Sequence, residues 1–388
     1  MRVRDPAASS GRLTWRNSKT DSQSLDKGIR ASHRGEFGVE FAFLKCPRLS
    51  EGGFVVNDQF YMARAIELAR RGLGLTFPNP VVGAVVVSSD GEIIGEGFHS
   101  GAEHAEVVAL KQCALQGSET TGATIFVTLE PCNHTGKTPP CTQAIVKAGI
   151  SRVVYAMPDP NPIALGGANN LRSHGIQVSK HVLADESAYM NRAWLHKIAS
   201  QRPFIIWKIA STFDGFTAAL DGTSRWITSK ESRSMVQRMR AESDAILIGT
   251  GTALADDPTL IPRNDPRRPL RIVMGERSIP AEAHLNNDEA QTLFIRSRQV
   301  EELIDATTRL GLNSILMEAG PTLGSALLLE NLVDEIHWFQ APTLLGAGQR
   351  AIGELHVHTL AERRNLRIIE SKRIGPDSLT ILRPKSEA

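Results

Sequence analysis

Apolar and polar positions along the chain fall into two long alternations of strand-like and helix-like segments, preceded by a stretch with no such rhythm. Over NDQFYMARAIELARRGLG (57–74) the spacing of Phe60, Ala63, Ile66, Ala69 and Leu73 predicts a helix burying that face, with Asn57 placed to cap it. VVGAVVVSSDGEIIGEGFH (81–99) reads as two strands joined at Ser-Ser-Asp-Gly, a hairpin. A helix is predicted from His104 to Gly117, a buried strand over ATIFVTL (123–129) and a helix over PPCTQAIVKAG (139–149). SRVVYAM (151–157) follows as a strand and DESAYMNRAWLHKIAS (185–200) as one further helix. Strands alternating with helices after an opening hairpin predict a three-layer α/β domain over 54–200.

The short joint SQRP (200–203) leads into a second α/β unit over 203–388. Its predicted strands are PFIIWKIAS, DAILIGTG, RPLRIVMG, QTLFIRS and NSILMEAG, with two more near 334–340 and 374–383. Helices are predicted over KESRSMVQRMRAE (230–242), around 299–310 and over PTLGSALLLENL (321–332). Residues 1–53 lack apolar periodicity and are rich in Ser, Arg and Gly, so they are read as a disordered or mis-started extension. Organelle targeting by that extension is the lesser alternative, because Asp5, Asp21, Asp26, Glu36 and Glu40 dilute its basic character.

Composition narrows the function classes. Lys and Arg total 44 against 42 for Asp and Glu, a balance that argues against a surface built to grip nucleic acid. Four cysteines (Cys46, Cys113, Cys132, Cys141) are too few for a disulfide scaffold and point to a reducing compartment, so a cytoplasmic protein is expected. No run approaches the roughly 18–20 apolar residues of a membrane span.

The chemistry concentrates in AEHAEVVAL (102–110) and TLEPCNHTGKTPPC (128–141). His104, Cys132 and Cys141 supply three ligands suited to zinc, leaving a fourth position open, as catalytic sites do. Glu106 stands two residues past His104; such a pair converges only near a helix end, where the pattern puts it. Cys141 opens a helix, whose N-terminus favours a thiolate, and Glu106 could shuttle a proton from an activated water to a leaving amine. His-Ala-Glu and Pro-Cys match the deaminase signature, but eight residues separate the cysteines instead of two. The insertion carries His134 and Lys137, a donor and a cation suited to a phosphorylated substrate. A purely structural zinc site would want a fourth ligand, and the spare thiol, Cys113, sits at an apolar position mid-helix, where a core residue belongs. The second unit has no G-x-G-x-x-G; MEAGPTLGSALL (317–328) instead offers a glycine turn at a helix start, a phosphate site by its physics but a common junction.

TFPNPVVGAVVV (76–87), HAEV, TLEPCNHTGKTPPC and DPNP (159–162) together resemble the bifunctional deaminase–reductase family of riboflavin biosynthesis. KIASTFDGFTA (208–218), SRWIT (224–228), RAESDAILIGTGTALADDPTL (240–260) and EAGPT resemble its reductase half. The resemblance implies a cytidine-deaminase-like domain followed by a dihydrofolate-reductase-like domain, with zinc and NADPH as cofactors. It implies deamination of a diaminopyrimidinone ribosylamino phosphate, then reduction of the ribosyl chain to ribityl. By motif position, Asn79, His99, His134 and Lys137 contact the first substrate, and Ser224, Arg240, Leu260, Arg263 and Glu318 the second, with Arg240 and Arg263 as phosphate grips. Ala210, Trp226, Thr252, Asp256 and the run Gly320, Pro321, Thr322, Leu323, Gly324, Ser325 and Ala326 line the cofactor, and Lys208, Asp256 and Glu318 are candidates for managing the proton. A homo-oligomer, dimer or tetramer, is expected. The chain departs from the family pattern at Val108, where a second His is usual, in IALGGANN (163–170), which lacks a cation, and at Met274-Gly275-Glu276, where Asp and a polar residue are usual. Two alternatives stand at this level: a nucleoside or nucleic-acid deaminase with an unrelated appendage, and a chain in which one half serves only as a scaffold.

Overall fold

The computed structural model describes residues 58–135, 139–161 and 166–385. The first half runs α1 (Asp58–Arg70), β1 (Gly83–Val87), β2 (Ile93–Phe98), α2 (Ala105–Gln116), β3 (Thr124–Leu129), α3 (Cys141–Lys147), β4 (Arg152–Met157), α4 (Gly167–Ser173), β5 (Gln177–Lys180), α5 (Ala184–Met190) and α6 (Arg192–Ser200). Its five strands lie in the order β2-β1-β3-β4-β5, antiparallel on either side of β1 and parallel from β3 to β5.

Period-two alternation assigns the strand residues to two cores. Ala84, Val86, Ile125, Val127 and Val153 pack with residues of α2, α3 and α4. Val85, Val87, Phe126 and Val154 pack with residues of α1 and with Leu183 and Met190. The result is the expected helix–sheet–helix sandwich. Cys113 is fully buried in the first of these cores.

Two local expectations are corrected. The buried face of α1 is Tyr61, Met62, Ala65, Ile66, Leu68 and Ala69, and Phe60 is exposed. The helix meets the sheet along a broad stripe turned from the predicted one, with Tyr61 reaching Phe126 of β3 by ring contact and Gly91 O in the β1–β2 turn by its hydroxyl. The predicted helix over 185–200 is two helices broken at Asn191. The Asn191 carboxamide there accepts from Val81 N–H and donates to Val81 O, both at 2.9 Å, and so locks the break to the strand entry. The Asn57 cap and the reading of residues 1–53 lie outside the described residues.

The second half runs β6 (Phe204–Thr212), β7 (Phe216–Ala218), α7 (Lys230–Glu242), β8 (Ala245–Gly249), α8 (Thr250–Asp256), β9 (Leu270–Met274), β10 (Thr292–Ile295), α9 (Val300–Arg309), β11 (Ser314–Met317), α10 (Pro321–Leu329), β12 (Glu335–Ala341), β13 (Gln349–Arg350), β14 (Leu366–Ile374) and β15 (Asp377–Pro384). Eight strands form one sheet in the order β10-β9-β8-β11-β6-β12-β15-β14, parallel as far as β12, with β15 and β14 antiparallel. Residues of α9 and α10 cover one face over Trp207, Leu247, Ile272 and Met317. The approach of α10 is set by Gly324: a Cβ there would stand 2.0 Å from Trp207 Cζ2. The predicted strands and helices all occur; α8, β14 and the small β7–β13 pair are additions, and β14 escapes pattern reading because it is an edge strand with little buried.

Charged groups tie the halves together. The wholly buried Glu335 accepts from Arg192 Nη2 at 3.1 Å, from Arg383 Nε at 3.1 Å and from His337 Nε2 at 2.7 Å. Burial would raise that carboxyl, but Arg192, His337 and Arg383 hold it well below the usual carboxylate range.

Candidate active sites

The N-terminal ends of α2 and α3 meet beside the C-terminal end of β3. His104 is the N-cap of α2, Glu106 lies in its first turn, Cys141 opens α3, and Cys132 follows β3. The ligand atoms of His104, Cys132 and Cys141 all lie within 4.8 Å of one another. His104 Nδ1 is 3.1 Å from Cys141 Sγ and 3.5 Å from Cys132 Sγ. Tetrahedral zinc with bonds of about 2.3 Å to sulfur and about 2.0–2.1 Å to nitrogen requires N···S separations of about 3.5 Å, so this donor set fits the ion and leaves one position open. Cys113, in the core, is outside the cluster.

The electrostatics suit the metal. The Cys132 thiol is pulled down to about 4, first by the Cys141 thiol hydrogen-bonded to it and then by His104 and the Cys141 N–H. Cys141 is raised in turn by the Cys132 thiolate beside it, so one thiolate is ready and a bound dication would displace the second thiol's proton. Burial pushes the Glu106 carboxyl up to about 7, the range of a group that both accepts and releases a proton at neutral pH. Replacing Cys141 by Ala is expected to leave a His–Cys pair that loses zinc on dialysis; metal analysis finding one zinc per chain in that variant would remove Cys141 from the ligand set.

His99 packs edge-on against His104, ring centroids 5.5 Å apart, and its Nδ1 bonds Glu103 O at 2.9 Å. His99 Nε2 and His134 Nδ1 are buried without a hydrogen-bond partner among the described residues, as groups awaiting a polar ligand would be. Asn79 is on an exposed turn leading into β1, and Lys137 lies outside the described residues. Asp159, given no role from the sequence, is buried near His134, and its Oδ1 accepts from Asn161 N–H at 2.8 Å. The signal for it was the DPNP string itself.

The second site is a cleft of about 2020 Å³ across the C-terminal ends of the parallel strands. Ala210, Ser224, Trp226, Arg240, Thr252, Asp256, Arg263, Glu318, Gly320, Pro321, Thr322, Leu323, Ala326 and Lys208 all line it. Leu260, Gly324 and Ser325 do not: Leu260 is buried against Ile246 and Val273, Gly324 faces Trp207, and Ser325 Oγ accepts from Gly353 N–H at 2.9 Å. Trp226 is largely exposed at the cleft, with the Arg233 guanidinium 4.6 Å from its ring centroid, so it is no core residue. A Cβ at Gly320 would meet nothing within 4 Å, so the start of the nine-residue α10 stands open to the cleft, a cradle fitting the phosphates of a dinucleotide.

Sheet topology brings together what no spacing could. β11 pairs in parallel with β6, Met317 opposite Trp207, so Glu318 stands next to Lys208, and α7 delivers Arg240 to Glu318. Glu318 Oε1 accepts from Arg240 Nε at 2.5 Å and Oε2 from Arg240 Nη2 at 3.0 Å, and Lys208 Nζ is 3.2 Å from Oε2. Burial alone would raise the Glu318 carboxyl; Arg240 and Lys208 outweigh it and hold it at about 2. Glu318 is therefore a fixed anion, and Arg240 is engaged by it instead of standing free for phosphate. Arg263 remains exposed at the rim, its N–H held by Gln237 Oε1 at 3.0 Å. Asp256 pairs loosely with Arg225 at 3.5 Å. Lys230, Arg233, Arg277 and Arg298 also line the cleft and were not singled out; the departing segment Met274-Gly275-Glu276 lines it too, Glu276 pairing with Arg298 at 3.0 Å.

The comparisons match this division. Residues 55–157 match the family model described as the cytidine and deoxycytidylate deaminase zinc-binding region, and residues 203–380 the RibD C-terminal domain. The riboflavin biosynthesis protein RibD of Mycobacterium tuberculosis is 43% identical over 329 residues, covering 83% of this chain and 96% of that one. The chain belongs to the RibD family. The Escherichia coli RibD protein is 39% identical over 363 residues, covering 83% of this chain and 98% of that one. A Thermotoga maritima crystal structure, described as a diaminohydroxyphosphoribosylaminopyrimidine deaminase/5-amino-6-(5-phosphoribosylamino)uracil reductase, superposes with a TM-score of 0.79 at 34% identity, covering 84% of this chain and 99% of that one. Acinetobacter baumannii RibD (form 1) gives 0.75 at 38% identity, with 85% and 99% covered. As a RibD protein, the chain is a two-activity enzyme of riboflavin biosynthesis, with a zinc-binding deaminase half and an NADPH-dependent reductase half. Among the described residues no helix is long and apolar enough to cross a membrane.

Proposed function

We propose that the chain hydrolytically removes the 2-amino group of 2,5-diamino-6-(5-phosphoribosylamino)pyrimidin-4-one and then reduces the ribosyl side chain of the product to ribityl. We assign the first step to residues 54–200 and the second to 203–388. The observation that carries the reading is the three-ligand cluster with the buried Glu106 beside it. Zinc bound by His104, Cys132 and Cys141 supplies Lewis acidity that makes water a nucleophile near neutral pH. Glu106 takes a proton from that water as it adds to ring C2 and gives it to the departing nitrogen, so ammonia leaves and a carbonyl remains. The buried His99 Nε2 and His134 Nδ1 orient the ring through its polar edge, and Asn79 and Lys137 complete the contacts by their motif positions.

In the second half NADPH supplies the hydride. Lys208 is the proton donor: its ammonium would protonate the nitrogen next to C1′ of the open-chain imine form, while Glu318 holds its position and Arg240 holds Glu318. Arg263 grips the substrate phosphate and Ser224 a hydroxyl of the sugar chain. Ala210, Trp226, Thr252, Asp256 and the start of α10 line the cofactor, with Leu260, Gly324 and Ser325 supporting that wall from behind. The same reading makes the protein a cytoplasmic dimer or tetramer that acts on a phosphorylated pyrimidine and on neither nucleic acid nor a membrane.

Following ammonia and NADPH together tests it. The zinc-loaded chain is expected to release ammonia from the pyrimidine phosphate and to oxidise NADPH only once deaminated product exists. Ammonia from cytidine or oligonucleotides with none from the pyrimidine phosphate would favour the nucleoside-deaminase alternative. Unchanged NADPH with deaminated product supplied would make the reductase half a scaffold.

A further inference from the structure

The turn that carries Asn79 is held by the other half of the chain. Leu73 O accepts from Arg267 Nη1 at 2.7 Å, across 194 positions of sequence. The Arg267 guanidinium is itself fixed, because Asp265 accepts from Nε at 2.9 Å and from Nη2 at 2.7 Å. At Gly74, φ is +72° and a Cβ would stand 2.1 Å from Ala241 O, so the turn is pressed against the last residues of α7. Asn79 O then accepts from Thr76 Oγ1 at 3.3 Å and from Asn313 Nδ2, at the entry to β11, at 3.5 Å. Just beyond, Val82 O accepts from His99 N–H at 2.8 Å, and the His99 ring abuts His104. Main chain therefore runs without a gap from a reductase-half arginine to the neighbour of a metal ligand.

We propose that Arg267, with Ala241 and Asn313, positions the 73–79 turn and through it Asn79, so that residues of the reductase half set the affinity of the deaminase site for its substrate. The proposal rests on Asn79 as a substrate contact. Arg267 is a positioning residue: it is outside the ligand cluster and bonds the turn's main chain at Leu73 O, and such a charged hydrogen bond to a carbonyl is the kind whose loss is felt. Ala241 directly follows Arg240, so one helix end serves both sites.

The experiment uses the full zinc-loaded chain as wild type, Arg267→Ala, Arg267→Lys and Gly74→Ala. Arg267→Ala is expected to raise KM for deamination about ten-fold with little change in kcat, the scale of one charged hydrogen bond. Zinc content and the rate of reduction of separately supplied deaminated product should stay as in wild type, and Arg267→Lys should recover part of the loss. Hydrogen exchange gives a readout independent of turnover. The amides of Leu75 and Asn79, bonded to Gly72 O and Thr76 O, should exchange faster in Arg267→Ala and Gly74→Ala, while those of β1 hold. Wild-type KM or wild-type exchange in both variants would overturn the proposal, as would parallel loss of zinc, reduction and protection throughout the chain. A wild-type chain releasing no ammonia from the pyrimidine would sink the functional reading instead, and the exchange data would still judge the clamp: faster supports it, unchanged overturns it.

Discussion

Glu106→Gln is expected to lower the deamination kcat by about 10³-fold while zinc stays bound, the scale of a positioned acid–base group. The substitution preserves volume and the capacity to hydrogen-bond but removes the ability to accept a proton. Because Glu106 is outside the ligand cluster, metal analysis should find the zinc content of wild type. Because it sits in the first turn of α2, remote in sequence and fold from the reductase cleft, reduction of supplied deaminated product should continue unaltered. The carboxyl is raised to about 7 chiefly by burial, so removing the acid also removes a costly buried charge, and the variant should be no less stable than wild type to heat. Turnover within ten-fold of wild type would take the proton shuttle away from Glu106.

Glu318→Gln should have the mirror effect: reduction lost by about 10²-fold or more, with deamination intact. Here the removed charge is the one that balances Arg240 and Lys208, both largely buried. Leaving two cations without their anion is expected to destabilise the chain by about 3 kcal/mol, the low end for breaking a buried pair. The pH dependence has a definite sign. The folded carboxyl, at about 2, lies below its ordinary value of about 4.3, so its contribution is fully present above that ordinary value and is lost as pH falls toward 2. Wild type should therefore lose this part of its stability on acidification through that window, and Glu318→Gln should not. Equal thermal midpoints for the two chains at neutral pH, with reduction retained, would show the three-residue cluster to be incidental to both stability and catalysis.

The ligand set was legible because its chemistry is local: a His-x-Glu at a helix start and a cysteine at the head of another helix announce themselves in order along the chain. The eight-residue gap between Cys132 and Cys141, which departs from the shorter deaminase spacing, closes in space because α3 folds back so that Cys141 N–H points at Cys132 Sγ, 3.4 Å away. The cleft was legible less fully. Motif position named its lining residues, yet it could not tell that Gly324 and Ser325 turn away from the cavity, since a helix start presents only some of its side chains to one side.

By itself the sequence predicted the alternation of strands and helices and singled out His104, Cys132 and Cys141, which meet in space, and Glu106 near them, because hydrophobic period and helix-end chemistry act over a few residues. Tertiary structure alone decided that Glu318 is a fixed anion, since Lys208 and Arg240 reach it only through the pairing of β11 with β6 and the placement of α7. It also decided the break at Asn191 and the seat of the 73–79 turn on Arg267. Each depends on a partner more than a hundred positions away, or on a neighbouring strand, and no periodicity along one chain segment encodes which distant group it will meet.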